Sequence, residues 1–379
     1  MAPNGDRRIL FITNIISPYR IPFLNALSDA DGIELEVVYV AEQEKNRQWK
    51  TYKDEIIYSY EVLEGVHLST GNRTVHLNYG LSHLVSQFKP DVVIIGTDIL
   101  STPASWIALY SARQVGAKVL RFEGQHAYTT NPGGIKSFLY RRFYNHCDHF
   151  FVYSRLTKAY LQGLGIDAAK ITIGYNVGDT EFVSREVEAY ISSPYYESDR
   201  ERYPDVLFLF SGRLTIRKNI LGLLTVFQDL ALPDAGLIIL GTGELADAVV
   251  EFIERHNLTT VLYEGFKQKS EVIRYLALCD VFVLPSFSDP ASIVLSEALF
   301  SGLYTVASSY DGSAVNFIIE GQNGVIVDPR NHTELRKALV TCYILKKSGG
   351  LNKERIRATM AEFCVQSYSQ RLEKLINRL

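Results

Sequence analysis

Short apolar runs recur along this chain at helix-length intervals, and that rhythm limits what it can fold into. Strand-length runs stand at 8–13, 33–40, 92–96, 118–122 and 149–153, and again at 206–211, 236–240, 260–266, 280–284, 303–307 and 324–327. Helix-like stretches, such as 77–88 and 103–115, separate them. Strand–helix alternation implies parallel, doubly wound sheets, whose strands are covered on both faces and read as near-continuous apolar runs. The 379 residues, 47% of them hydrophobic, suffice for two α/β domains with substantial cores.

Several function classes are disfavoured. A net charge of −3 gives no global basic field for nucleic acid. Cys147, Cys279, Cys342 and Cys364 are scattered without C-x-x-C spacing, which disfavours a zinc site or a disulfide framework and fits a reducing cytoplasm. The start, MAPNGDRR, lacks a long apolar segment, and no run of about 18 apolar residues exists to span a bilayer. The first strand–helix loop carries no G-x-G-x-x-G, so a dinucleotide-dependent oxidoreductase finds little support.

The stretch 281–329 carries the most chemistry. Asp289 reads as an N-cap, with Pro290 pre-organised for the first helical position. The backbone N–H groups of Ser292, Ile293 and Val294 then lack intrahelical partners. A helix N-terminus at the end of a parallel strand is a phosphate cradle. Glu297 lies eight residues on, about 12 Å along a helix axis, within reach of the far end of a nucleotide, such as its ribose hydroxyls. By spacing alone, a plain helix cap and a solvated flank explain Asp289 and Glu297 better than a nucleotide site does. Upstream, the strand at 206–211 runs into Gly212-Arg213-Leu214 and Lys218-Asn219, and cations there can pair with a diphosphate.

These segments resemble the retaining glycosyltransferases with the two-domain GT-B fold, in the family-4-like group marked by E-x7-E. Glu297-Ala298, Ser301-Gly302, Val306-Ala307 and Gly321-Gln322-Asn323-Gly324 fall in its register, as do Gly212-Arg213-Leu214 with Lys218, and Gly241-Thr242-Gly243. The segment 260–266 resembles the family's V-x-F-x-G, whose following loop, here Lys267 and Gln268, bears on the donor base. The resemblance implies two Rossmann-like domains facing a central cleft: residues 1–175 on the acceptor side, a linker at 176–205, and a donor-binding domain at 206–354. A C-terminal helix at about 355–379 would pack back onto the first domain. Asp29-Ala30-Asp31 looks like the D-x-D metal motif of the other major glycosyltransferase fold, but it ends a helix rather than following a strand.

The resemblance assigns catalysis to Arg213, Lys218, Asp289 and His126. Donor binding falls to Gly212, Gly241, Gly243, Phe266, Lys267, Ser292, Ile293, Val294 and Glu297. Ser17, Pro18, Tyr19 and Glu123 form the acceptor side; a subset of the family has a similar S-P-Y-R-x-P-F run. Pro18 equally suits a helix start capped by Ser17, and a lone His after a strand, such as His126, is more often a surface-loop residue. The implied reaction moves a sugar from a nucleotide-diphosphate sugar to a hydroxyl of a glycan, lipid-linked saccharide or small metabolite, with no cofactor and no metal. Residues 136–144 (KSFLYRRFY) suit a cytoplasmic protein touching an anionic membrane, or simply a basic face over core aromatics. Asp289 and Asn316 stand where the family usually has Glu, Ser292 and Asn219 where it usually has Gly. These departures keep open a non-catalytic nucleotide-sugar binder, and a GT-B epimerase shares the fold.

Overall fold

A computed structural model describes residues 6–44, 48–70, 73–130 and 133–379. The chain divides into two compact units, 1–175 with 365–379, and 176–364.

The first unit is built on β1 (Arg7–Thr13), β2 (Ile33–Tyr39), β3 (Ser59–Val62), a hairpin of β4 (Gly65–Thr70) and β5 (Arg73–Asn78), then β6 (Val92–Ile95), β7 (Lys118–Glu123), β8 (His149–Val152) and β9 (Ile171–Ile173). Seven of these form one parallel sheet in the order β3-β2-β1-β6-β7-β8-β9. Ile9, Leu10, Phe11 and Ile12 of β1 are all fully buried, as a sheet covered on both faces requires. The chain leaves β1 in one direction to β2 and later returns to β1's other side with β6, so the strand order reverses between β1 and β6. On one face, Phe122 stacks on Phe151, and Tyr368 lies on both Phe151 and Phe23, the latter at 4.1 Å between ring centroids. Tyr368 sits on the last helix, Val365–Ile376, and this aromatic packing is what makes that helix part of the first unit.

The second unit holds β10 (Val206–Ser211), β11 (Ala235–Leu240), β12 (Val261–Gly265), β13 (Val281–Leu284), β14 (Tyr304–Ser308) and β15 (Gly324–Val327). They form a parallel sheet in the order β12-β11-β10-β13-β14-β15, reversing between β10 and β13. Ligands of open α/β sheets bind at such reversals, beyond the strands' C-terminal ends.

Three expectations change. Residues 176–205 are not a linker: Asp179 caps a twelve-residue helix, Thr180–Ile191, by accepting from the Phe182 N–H, and the segment belongs to the second unit. The single helix at 355–379 is two, Lys353–Ala358 and Val365–Ile376, separated by a short 3-10 turn. The helix expected at 77–88 begins only at Leu81, because 73–78 is the second strand of the hairpin. Among the described residues no helix is long and apolar enough to cross a membrane.

Candidate active site

The loops leaving β10 and β13 meet where the second sheet reverses. After β10 the chain makes a 3-10 turn, Ile216–Lys218, and Asn219 turns left-handed at φ +55° before the helix Ile220–Leu230 begins. Asn is among the few side chains that accept this conformation, which is how it stands where the family has Gly. Its amide also donates to the Pro329 carbonyl at 3.1 Å. The turn carries Lys218 inward, where its Nζ lies 2.5 Å from Asp289 Oδ2 with both side chains at least 90% buried. Gly212 leaves room beside this ammonium: a Cβ there would stand 4.0 Å from Lys218 Nζ. Arg213 follows in the same loop, half-buried.

Asp289 does not cap the following helix. Its backbone pairs instead with the segment after β14: its N–H donates to the Tyr310 carbonyl, and its carbonyl accepts from the Gly312 N–H. The helix therefore starts later, at Ile293–Phe300, with Ser292 in the N-cap position. Ser292 makes no capping bond, and its hydroxyl donates to Asp311 Oδ2 at 2.5 Å. The N–H groups of Ile293, Val294 and Leu295 thus open the helix without an N-cap side chain to satisfy them.

Asp311 is the residue that sequence reasoning missed. It is fully buried and accepts from Ser292 and from the backbone N–H groups of Ser313 and Ala314. Burial, and then the neighbouring Asp289 carboxylate, push its own carboxyl up to about 6. The local signal was an Asp following a strand and preceding Gly-Ser-Ala, which is capping chemistry for the short helix Ala314–Phe317. Asn316 lies on that helix, nearly buried.

Glu297, one turn along from Ile293, faces the segment after β9. A Cβ on Gly178 would come 2.9 Å from Glu297 Oε1, and the Gly178 N–H points to Ser296 Oγ at 3.4 Å. Asp179 and Lys269 form an ion pair of 2.6 Å nearby. Burial pushes the Glu297 carboxyl up to about 7, opposed by Lys269 and assisted by Asp179.

The other donor-side candidates divide. Gly241, at φ +125°, lets the loop after β11 lie against the loop after β10: a Cβ there would overlap the Gly212 carbonyl oxygen at 1.9 Å. Gly243 meets the Leu214 carbonyl in the same way. These two glycines bring the loops together and leave no side chain of their own at the site. Phe266 and Lys267 follow β12, with Lys267 paired to Glu264 at 3.1 Å.

In the first unit the candidates fall on two segments, one after β1 and one at the end of β7. Ser17, Pro18 and Tyr19 enter a 3-10 turn after β1, and Ser17 does not cap it. His126 is fully buried in the turn after β7, its N–H donating to Thr129 Oγ1. Glu123 departs from an acceptor-facing role. Its carboxylate accepts from Arg121, from Tyr144 and from the N–H groups of Gly124 and Gln125. That saturates the carboxylate's roughly four lone-pair directions and makes it a structural clamp. Among the described residues no group of three or more His, Cys, Asp or Glu is arranged to hold a metal ion.

Two family models match in series. Residues 24–182 match the model described as Glycosyltransferase Family 4, and residues 197–353 match Glycosyl transferases group 1. The chain belongs to the family-4-like GT-B glycosyltransferases. It is similar to Anabaena HepE, solved in complex with UDP, at a TM-score of 0.77 and 17% identity, covering 98% of this chain and 100% of that one. An uncharacterized glycosyltransferase of Methanocaldococcus jannaschii is 24% identical over 154 residues, 41% of this chain and 40% of the relative. A Campylobacter jejuni protein named N-acetylgalactosamine-N,N'-diacetylbacillosaminyl-diphospho-undecaprenol 4-alpha-N-acetylgalactosaminyltransferase is 28% identical over 182 residues, 48% of this chain and 46% of the relative. This chain thus matches less than half the length of these two relatives.

Proposed function

We propose that this glycosyltransferase moves a sugar, with retention of anomeric configuration, from a nucleoside-diphosphate sugar to an acceptor hydroxyl. The observation that carries the reading is Lys218, buried on Asp289 beside an uncapped helix N-terminus where the second sheet reverses. An ammonium has three donors, so the bond to Asp289 leaves two for diphosphate oxygens. Arg213 and the opening N–H groups of the helix Ile293–Phe300 add charge and dipole of the same sign. Together they would stabilise the negative charge that develops on the departing nucleoside diphosphate, the electrostatic work a metal ion performs elsewhere.

Glu297 would accept from the ribose hydroxyls, and Asp289, fixed by Lys218 and by its backbone pairing, would orient the donor sugar. Retention would follow if the acceptor attacks from the face the leaving group departs, with the donor phosphate taking the proton. Uridine is the base we propose, because HepE, which shares this fold, is solved in complex with UDP. A lipid-linked saccharide is an acceptor class in keeping with the Campylobacter relative.

The test is proton NMR of the product formed from UDP-sugars in the presence of a chelator. The expected result is a new glycoside whose anomeric proton has the donor's configuration, formed at an undiminished rate under chelation. An inverted anomer would overturn retention. Donor consumption with no glycoside, and an epimerised nucleotide sugar in its place, would overturn transfer.

A further inference from the structure

Asp311 makes more hydrogen bonds than its own turn requires. The N–H groups of Ser313 and Ala314 donate to its Oδ1 at 2.7 and 3.1 Å, at the start of the short helix Ala314–Phe317. One oxygen suffices there, and a Ser or Thr hydroxyl would supply it without burying a charge. Asp311 is instead a fully buried carboxyl beside the Asp289 carboxylate, an arrangement that costs stability. What Asp adds over Ser is a second oxygen, Oδ2, and its partner is the Ser292 hydroxyl.

Ser292 has the backbone of an N-cap, with φ −72° and ψ 120°. From that position a serine hydroxyl ordinarily accepts from the N–H of the second or third helical residue, here Val294 or Leu295. It accepts from neither. The loop that presents Asp311 is fixed on both sides. Backbone bonds of 3.1 and 3.0 Å tie Tyr310 and Gly312 to Asp289. The Tyr310 N–H donates to Ser308 Oγ, and its hydroxyl donates to Asp328. A rigid acceptor therefore faces a hydroxyl that has a competing local use.

We propose that Asp311 is a positioning residue of the donor site, holding the Ser292 hydroxyl away from the helix Ile293–Phe300 so that the opening N–H groups stay available to a nucleoside diphosphate, a role that rests on the donor-site reading above. The glycine usual in the family at 292 has no side chain to compete with a diphosphate for those N–H groups. A serine has one, and Asp311 takes it out of the competition. Ser292 and Asp311 thus form one device. Charge alone acts in the opposite sense: a carboxylate near the site repels a diphosphate, so its removal would tighten binding.

Calorimetric titration of the full chain with UDP, GDP and ADP tests this, the tightest binder being carried into the variants. Asp311→Ser keeps an oxygen for Ser313 and Ala314 and loses the one that holds Ser292. Asp311→Asn removes the same charge but keeps a second polar atom for Ser292. The expected result is affinity about tenfold weaker in Asp311→Ser, the worth of one N-cap bond, and a smaller loss in Asp311→Asn. In a Ser292→Gly background, Asp311→Ser should cost nothing further. An equal loss in both backgrounds, an equal loss in Asp311→Asn, or tighter binding in Asp311→Ser would overturn the proposal. Should Asp311→Ser lose its native circular dichroism, amide exchange in wild type decides: fast exchange at Val294 and Leu295 that the nucleotide slows is expected, and slow exchange in both states would overturn it. A wild type that binds none of the three nucleotides overturns the donor-site reading as well. One that binds a nucleotide no better than Asp311→Ser does overturns the role of Asp311 alone.

Discussion

Glu297 is an acid held against its own chemistry, and replacing it by Gln has a calculable consequence. Burial raises its carboxyl from 4.5 to about 7, with no hydrogen bond among the causes to offset it. A folded-state value above the unfolded one means stability that is present at low pH and lost as pH rises from about 4.5 through 7. The distance between those values corresponds to roughly 3 kcal/mol at 1.36 kcal/mol per pH unit. The side chain keeps some contact with water, so about 2 kcal/mol is the working figure. Gln does not titrate. Between about pH 5 and pH 8, Glu297→Gln should therefore gain about 2 kcal/mol on wild type in urea unfolding. Nucleotide-sugar binding should move the other way. If ribose hydroxyls donate to the carboxylate, wild-type affinity for UDP-glucose rises with pH and levels off above 7, while the variant is weaker at pH 8 and flat. A variant-to-wild-type stability difference that is constant across this range would refute the reasoning.

Lys218→Met should lower the initial rate of transfer by roughly 100-fold or more, followed by product chromatography, because it removes a preorganised donor to the leaving group. Wild-type rates would remove Lys218 from the chemistry. Gly241→Ala should cost about 3 kcal/mol or more, seen as a large drop in thermal midpoint, since its φ of +125° and the 1.9 Å approach to Gly212 admit no Cβ. Tyr368→Ala should destabilise by about 3–5 kcal/mol, read by chemical unfolding, because its ring fills the space between Phe23 and Phe151.

The parallel sheets were legible because strands covered on both faces cannot hide their composition; Val281, Phe282, Val283 and Leu284 are all fully buried. Lys218 and Glu297 stand out in the sequence because the family's spacing survives around them. The helix start at 289 was misread because Asp289-Pro290 carries the right local capping chemistry. A non-local pairing with Tyr310 and Gly312 claims the Asp289 backbone, and no window around 289 contains those residues. The helix Thr180–Ile191 shows no clean apolar period because only Thr180, Val183 and Val187 of its residues are buried among its charges. Glu123 read as a crevice residue from its place after a strand, while its saturation depends on Arg121 beside it and Tyr144 a helix away. Asp311 lies outside the motifs read in the sequence, and only the fold brings it to Ser292.

Amide hydrogen exchange with and without UDP tests the central claim most directly, because it reports where the nucleotide rests. A donor site in the second unit gives slowed exchange at 212–219 and at the opening amides of the helix Ile293–Phe300, with both effects lost in Lys218→Met. Protection confined to the first unit, or none at saturating UDP, would contradict a donor site at the reversal between β10 and β13.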